Sequence, residues 1–205
     1  MPQDPETLLQ GTHLLWRGRE NAHHAPPCLP TGFAALDAKL PGGGWPKGSL
    51  AEIITPHWGI GELRLLLPIL SRFTHDERWL AWINPPHLPY PPALAQGGVN
   101  LAFCLLLDQI KLSGDVLWSM EKLLRQGDTG AVLAWPTGEI GSTDLRRLAL
   151  AAATGNSLGI LFLKRKPDLS LAALRLELMP KPGGLVISIL KARGSWWQGT
   201  ISIDL

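Results

Sequence analysis

The feature that most constrains the fold is a regular alternation, between residues 49 and 163, of short apolar runs with longer segments of helical spacing. The runs at 131–135 and 158–163 are almost continuously apolar, which is typical of parallel strands covered on both faces. Between such runs, apolar residues recur at the spacing of an amphipathic helix. This alternation predicts an α/β domain whose central, mostly parallel sheet is flanked by helices.

The individual elements follow from the same pattern. The predicted helices span 62–74, 91–96, 113–126 and 142–154, and the predicted strands span 49–55, 79–83, 101–107, 131–135 and 158–163. The strand at 101–107 reads as buried because it is wholly apolar apart from Cys104. Ser113 is the expected N-cap of the helix that follows it.

The pattern changes after residue 167. Three strand candidates, at 171–179, 185–191 and 196–203, are separated by turns too short to hold crossover helices. We therefore expect antiparallel hairpins at the edge of the sheet.

The length of 205 residues fits a single domain. Residues 1–30 contain a short helix candidate at 6–17, followed by a segment rich in His, Ala and Pro, and are predicted to form an arm or linker. Residues 31–205 are predicted to form the domain. Whether the arm mediates self-association into a homo-oligomer stays open.

Charge and cysteine content exclude several classes of protein. The formal net charge is only +2, and the basic excess is concentrated in residues 160–205, with seven basic and three acidic side chains. Two cysteines provide neither a disulfide framework nor paired metal ligands. No basic leader or bilayer-length apolar stretch is present, so we expect a cytoplasmic protein without a membrane partner.

Three linked stretches resemble the start of the RecA ATPase core: 31–37 (TGFAALD), the Gly-rich turn 41–48, and the first strand 49–56. The phosphate loop that follows is degenerate. Gly59 and Gly61 remain, but Glu62 stands at the lysine position and Leu63 at the Mg²⁺ ligand position. The strand that should end in a Walker B Asp ends at Trp135 instead.

This degeneracy predicts a RecA-like fold without ATPase chemistry. A carboxylate at the lysine position repels triphosphate, and Leu63 cannot bind a metal. We find no catalytic constellation elsewhere, so no catalytic residue, cofactor or metal is assigned. His13, His23, His24 and Cys28 do not have the spacing of a metal site.

The amino-acid sequence of the degenerate loop, 56–63, together with the stretches 81–86 and 132–136, resembles the ImuA family of SOS-response proteins, which are relatives of the SulA division inhibitors. That resemblance implies a non-catalytic accessory of mutagenic translesion DNA synthesis. The implied partners are an ImuB-like protein, an error-prone C-family DNA polymerase and RecA, with nucleoid association during activity.

Two other functions stay open. A SulA-like division inhibitor would bind FtsZ, and a divergent RecA-type ATPase would retain nucleotide. Filamentation on expression distinguishes the first from the ImuA hypothesis, and nucleotide binding tests the second.

The candidate contact residues for single-stranded DNA or a protein partner lie in the basic C-terminal quarter, with two tryptophans as stacking platforms. A solvated turn with ordinary edge tryptophans is the alternative interpretation. The set is Lys164, Arg165, Lys166, Lys191, Arg193, Trp196 and Trp197. Separately, the loop residues His57 and Trp58 are either a recognition site or filling for the vacated phosphate space, and Glu52, on a buried strand, is expected to have an ion-pair or hydrogen-bond partner.

Overall fold

The computed structural model describes residues 27–168, 170–195 and 197–205. The helices are α1 (Ala34–Asp37), α2 (Glu62–His75), α3 (Pro91–Gln96), α4 (Ser113–Leu124) and α5 (Ser142–Gly155). The strands are β1 (Cys28–Leu29), β2 (Trp45–Pro46), β3 (Ser49–Ile54), β4 (Trp79–Ile83), β5 (Cys104–Leu107), β6 (Thr129–Ala134), β7 (Leu158–Leu163), β8 (Leu174–Lys181), β9 (Gly184–Ala192) and β10 (Gly199–Asp204).

Eight of these strands form one large mixed sheet in the order β10-β9-β8-β3-β7-β6-β4-β5. The strands from β8 to β5 in this order run parallel, whereas β9 is antiparallel to β8 and β10 is antiparallel to β9. Strands β1 and β2 form a separate antiparallel ribbon. The chain is therefore a mixed α/β fold with helices flanking a large sheet.

The sheet separates two apolar layers because side chains alternate across a strand. Helix α2 covers one face, and Leu65, Ile69 and Phe73 pack there against the strands. Helices α4 and α5 cover the other face with Met120 and Leu148. Helices on both faces explain why β6 and β7 are nearly continuous apolar runs.

The first of the three RecA-like stretches has a structural role. Asp37 Oδ1 accepts a hydrogen bond of 2.9 Å from the Thr31 backbone N–H, and Thr31 Oγ1 accepts one of 3.1 Å from the Phe33 N–H. Gly32 has φ +89°, and a Cβ there would lie 2.7 Å from Pro68 of α2. The motif thus fixes the turn before α1, where Gly32 lies against α2.

Most predicted elements are confirmed. The bounds of β4, α3 and β7 coincide with the predictions, and α2 and α5 each extend one residue further. Strong periodicity and flanking turns fix these elements locally.

The buried strand predicted at 101–107 is wrong in two respects. Residues 101–103 form a 3₁₀ turn, and β5 is the last strand of the sheet, with one neighbour. Leu105 and Leu106 are accordingly 39% and 41% exposed. An apolar run does not reveal whether its strand is central or at an edge.

The predicted cap at Ser113 is also wrong. Helix α4 begins at Ser113 itself, Leu112 occupies the N-cap position, and the buried Ser113 hydroxyl has no hydrogen-bond partner among the described residues. The side-chain cap that Ser commonly supplies is missing here.

The antiparallel hairpins predicted at the C-terminal end are confirmed for β8–β9 and β9–β10. However, β8 itself pairs in parallel with β3. The connection at 164–173 leads from β7 past β3 to β8, and its described residues contain no helix. Parallel connections usually contain a helix, so this parallel pairing was not expected. The helix candidate at 6–17 lies outside the described residues.

Candidate functional site

The loop after β3 is where a RecA-like protein would hold phosphate, and here it holds a carboxylate of its own chain. Glu62 Oε1 accepts a hydrogen bond of 3.1 Å from the Gly59 N–H, and Glu62 Oε2 accepts one of 3.0 Å from the Ile60 N–H. Glu62 is only 4% exposed, and Gly61 takes φ +110° to start α2. The backbone donors of the loop are therefore directed at an internal anion.

An aromatic row lies beside this loop on the α2 face of the sheet. The ring of Phe162 stacks on Trp135 with centroids 4.3 Å apart, and Trp135 stacks on Trp82 at 6.2 Å. Trp58, in the loop, meets Phe162 edge-on at 6.3 Å. Trp58 is thus packed against the core, as the space-filling interpretation requires, while the neighbouring His57 is exposed.

Strand ends explain how these rings meet. Trp82 belongs to β4 and Phe162 to β7, and Trp135 directly follows β6. The backbone N–H of Trp135 donates a hydrogen bond of 3.1 Å to the Ile83 carbonyl. Parallel strands in register bring residues from three separate segments to one level of the sheet. The sequence places Trp135 where a Walker B Asp would stand, and the structure places it in a ring stack.

Asn84 joins the next two loops at the same edge. Its side-chain NH₂ group donates a hydrogen bond of 2.7 Å to the Ile110 carbonyl, and its Oδ1 accepts a hydrogen bond of 2.9 Å from the Ile110 N–H. Asn84 adopts φ +50°, a conformation that Asn tolerates better than most residues. No role was assigned to Asn84 from the sequence, although the Asn-Pro pair was an available signal of a turn.

The loops that Asn84 joins carry large apolar side chains in solvent. Leu88 and Tyr90 are each 69% exposed in the loop after β4, and Leu112 is 65% exposed in the loop after β5. Exposed apolar groups at one edge are the usual mark of a protein-binding surface. We call Leu88, Tyr90 and Leu112 the edge surface.

The predicted basic residues fall into two groups. Lys164, Arg165 and Lys166 form an exposed turn directly after β7, at the edge where the strands end. Lys191 lies opposite Arg175 at the far end of β9.

The remaining members of the predicted set follow β9. Arg193 donates its backbone N–H to Ala173, and Trp197 receives the Lys39 ammonium 5.4 Å from its ring centroid. Trp196 lies outside the described residues. Among the described residues, no hydrogen bond or ion pair joins the turn at 164–166 to Lys191, Arg193 or Trp197, so DNA or partner binding by the whole set stays a prediction.

A buried ion pair fastens β3 to β8. Arg175 Nε donates 2.7 Å to Glu52 Oε2, and Ser170 Oγ donates 2.8 Å to Glu52 Oε1. Arg175 also donates 2.7 Å to the Pro167 carbonyl. The expectation that Glu52 has an ion-pair or hydrogen-bond partner is confirmed, although the sequence did not reveal which one.

Burial shifts the pKa values of Lys191 and Cys104. Burial, and then the neighbouring Arg193 charge, lower the pKa of Lys191, which donates 3.1 Å to the Ser170 carbonyl. Burial raises the pKa of the Cys104 thiol. The Cys104 thiol is therefore not activated as a nucleophile.

Within 27–168, 170–195 and 197–205, no cluster of three or more His, Cys, Asp or Glu side chains could hold a metal. None of the helices among these residues is both long and apolar enough to cross a bilayer.

A family model described as "Cell division inhibitor SulA" matches residues 51–159, which is more than half of the chain. The chain belongs to the SulA family. Similar proteins include the cell division inhibitors SulA of Klebsiella aerogenes, 31% identical over 97 residues, and of Yersinia pestis (strain Pestoides F), 36% identical over 96 residues. Each alignment covers 47% of this chain, and they cover 57% and 56% of the two relatives. The chain thus spans little more than half the length of these relatives.

SulA of Edwardsiella piscicida is 31% identical over 109 residues, covering 53% of this chain and 64% of that protein. The crystal structure of SulA from Pseudomonas aeruginosa is 27% identical, with a TM-score of 0.46, covering 57% of this chain and 98% of the other.

The ImuA assignment is therefore wrong. The stretches that suggested it, 56–63, 81–86 and 132–136, all lie within the segment matched by the SulA family model. The function and partners implied by that assignment fall with it: translesion synthesis, the ImuB-like protein, the error-prone C-family polymerase and RecA. The two families were already recognised as relatives, so these shared motifs could not separate them.

Proposed function

We propose that this chain is a non-enzymatic, cytoplasmic inhibitor of bacterial cell division that acts by binding FtsZ. Membership of the SulA family over residues 51–159 carries this proposal. The match spans little more than half of the length of the relatives, so the activity is proposed on the basis of the shared segment. That segment contains the loop after β3 and the edge surface.

The closed loop after β3 supports a role without catalysis. A nucleotide phosphate would have to displace the Glu62 carboxylate from the Gly59 and Ile60 N–H groups, and the carboxylate would then repel it. The parallel succession of strands around this loop supports a RecA-like core that has exchanged nucleotide binding for internal packing. We also infer that residues 31–205 form one domain, which β1, from the predicted arm at 1–30, joins by pairing with β2.

We propose that the edge surface makes the central contact with FtsZ. Leu88 and Tyr90 are exposed but stand on a loop that Asn84 anchors at Ile110, so little ordering is needed on binding. Aromatic and aliphatic side chains held in this way are common anchors of protein interfaces.

Expression in rod-shaped bacteria, combined with sedimentation of purified FtsZ polymers, tests this function. Expression of the wild-type protein should make the cells grow as filaments. In the sedimentation assay, the purified protein should reduce the amount of FtsZ that sediments. The Leu88→Ala/Tyr90→Ala variant should bind FtsZ about tenfold more weakly, a typical loss for truncated anchors. The matched control is Leu150→Ala/Met179→Ala, which truncates two exposed side chains elsewhere, at 63% and 47% exposure.

Two results would contradict the proposal. Normal division together with unaltered FtsZ sedimentation would exclude the inhibitor function. Equal weakening of FtsZ binding by the control pair would contradict only the role of the edge surface and would leave the inhibitor function standing. Titration calorimetry with Mg·ATP and Mg·GTP should give no binding heat, and micromolar affinity for either would contradict the closed loop.

A further inference from the structure

A cleft of about 500 Å³ lies between α4 and α5, on the face of the sheet opposite α2. Its walls come from the first half of each helix, and Leu117 and Leu148 contribute apolar surface. Since a helix that follows a parallel strand starts near the strand's carboxyl end, the cleft opens beside the loop edge. None of its lining residues belongs to the edge surface, and its volume suits one or two side chains of a ligand.

One buried charge cluster closes the inner wall of the cleft. Glu121 accepts 2.9 Å from Arg125 on its own helix and 2.5 Å from Arg147 on α5. The Glu121 side chain is only 10% exposed and each of its oxygens is paired with an arginine, so this cluster joins the two helices.

Two other acids in the cleft lack such partners. Asp115 and Asp144 stand in the first turns of α4 and α5, and both line the cleft. In the part of the chain that the structure describes, neither side chain forms an ion pair or a hydrogen bond. Acidic residues suit helix N-termini, but here two helices bring them to the same cleft, whose lining carries three acids, Asp115, Glu121 and Asp144, against one base, Arg147.

An exposed tryptophan lies between these acids and the apolar floor. Trp118 lines the cleft with 56% of its surface exposed, an unusual state for so large an apolar ring. The Lys122 ammonium already lies 5.6 Å from its centroid, so the ring is positioned to receive cations. Aromatic surface beside unpaired carboxylates is complementary to a guanidinium group, which stacks and forms forked hydrogen bonds at once.

We propose that the cleft between α4 and α5 binds an arginine-bearing segment of a protein partner. The guanidinium stacks on Trp118 and donates to Asp115 or Asp144, while the aliphatic stem covers Leu117 and Leu148. This inference rests on the cleft alone and does not depend on FtsZ being the partner.

Calorimetric titration of the full chain with a synthetic peptide tests the proposal. The probe is acetyl-Ala-Arg-Leu-Arg-Ala-amide, and its counterpart carries Gln at both Arg positions. The arginine peptide should bind saturably and the glutamine peptide should not. Binding should weaken strongly at about 1 M salt, where the Debye length falls to about 3 Å.

Paired variants locate the binding. Asp115→Asn/Asp144→Asn and, separately, Trp118→Ala should each weaken the peptide about tenfold, the usual scale for charged or aromatic contacts of this kind. The control Glu77→Gln/Asp128→Asn makes the same change in net charge at exposed positions outside the cleft and should leave affinity within about twofold. Thermal unfolding should show that all three variants fold.

Absence of saturable binding, equal binding of the glutamine peptide, or equal weakening by the control would each overturn the proposal. The outcome is independent of the division assay. If the peptide binds in the cleft while FtsZ and cell division are unaffected, the cleft stands and the proposed function falls.

Discussion

Two buried glutamates, one on each side of the loop after β3, are stabilised in opposite ways. Glu52, which is fully buried, receives Arg175 and the Ser170 hydroxyl from distant parts of the chain. Glu62, 4% exposed, receives the backbone N–H groups of Gly59 and Ile60, which are only three and two residues before it.

The difference teaches how each site depends on the rest of the fold. The Glu52 contacts exist only when β8 has joined β3, so they link the C-terminal hairpins to the core. The Glu62 contacts need only the loop and the first turn of α2. If a partner is removed, water cannot reach Glu52, whereas it can reach the exposed Gly59 N–H.

The sharpest way to break this comparison is Arg175→Ala. It leaves the Glu52 carboxylate buried without its counter-charge, and the free energy of unfolding should fall by about 3–5 kcal/mol. Urea unfolding at pH 7 measures the loss. The double variant Glu52→Gln/Arg175→Met should lose much less, and a loss below about 1 kcal/mol for Arg175→Ala would show that Glu52 is not held by this pair.

A smaller effect is expected from Ser170→Ala, which removes the hydroxyl that donates to Glu52 Oε1 and leaves Arg175 in place. Hydrogen bonds to charged groups contribute about 1.5–3 kcal/mol, and the same unfolding measurement should show a loss in that range. Ser202→Ala, an exposed serine on β10, serves as the control and should change stability by less than about 0.5 kcal/mol. Similar losses for the two serines would contradict the role of Ser170.

At the loop, Glu62→Ala should cost less, about 0.5–2 kcal/mol, the range for loss of a capping side chain. The freed N–H groups of Gly59 and Ile60 should then exchange with solvent faster, as measured by amide hydrogen exchange. Glu62→Gln should retain part of the protection because its amide oxygen still accepts one hydrogen bond. Unchanged exchange in both variants would separate Glu62 from the order of the loop.

The smallest effect concerns pH and Lys191. Burial first, with Arg193 next, lowers the pKa of Lys191 in the folded chain below its usual 10.5, so the unfolded chain binds more protons between the two pKa values. The stability that Lys191 contributes should therefore rise as pH increases through this interval. Lys191→Met does not titrate, so the unfolding free energy of the wild type minus that of the variant should increase between pH 7 and pH 10. A constant difference would contradict the shift.

The sequence predicted the fold class well because apolar periodicity is a local property. The alternation from β3 to β7 and the degenerate loop can both be read from neighbouring residues. It failed at β5, where the exposure of Leu105 and Leu106 depends on strand order, and at β8, whose parallel pairing depends on where the chain returns. Neither fact is encoded within the strand itself.

The candidate site was predicted in part for the same reason. Glu62 was identified as a residue that excludes triphosphate, but its two hydrogen bonds needed the loop conformation. Asn84 and Trp118 were missed because their meaning comes from Ile110 and from the facing helix α5. The basic set was grouped by its position in the sequence, and the fold separates it.

By itself, the sequence determined that this chain forms an α/β sheet and that the loop after β3 lacks the lysine and hydroxyl of an ATPase, because residue identity at fixed short spacing decides both. Only the tertiary structure decided that Arg175 pairs with Glu52, that Trp82, Trp135 and Phe162 form one stack, and that α4 and α5 share an acidic cleft. Each of these joins side chains that are distant along the chain, and strand order and helix packing bring them within contact distance.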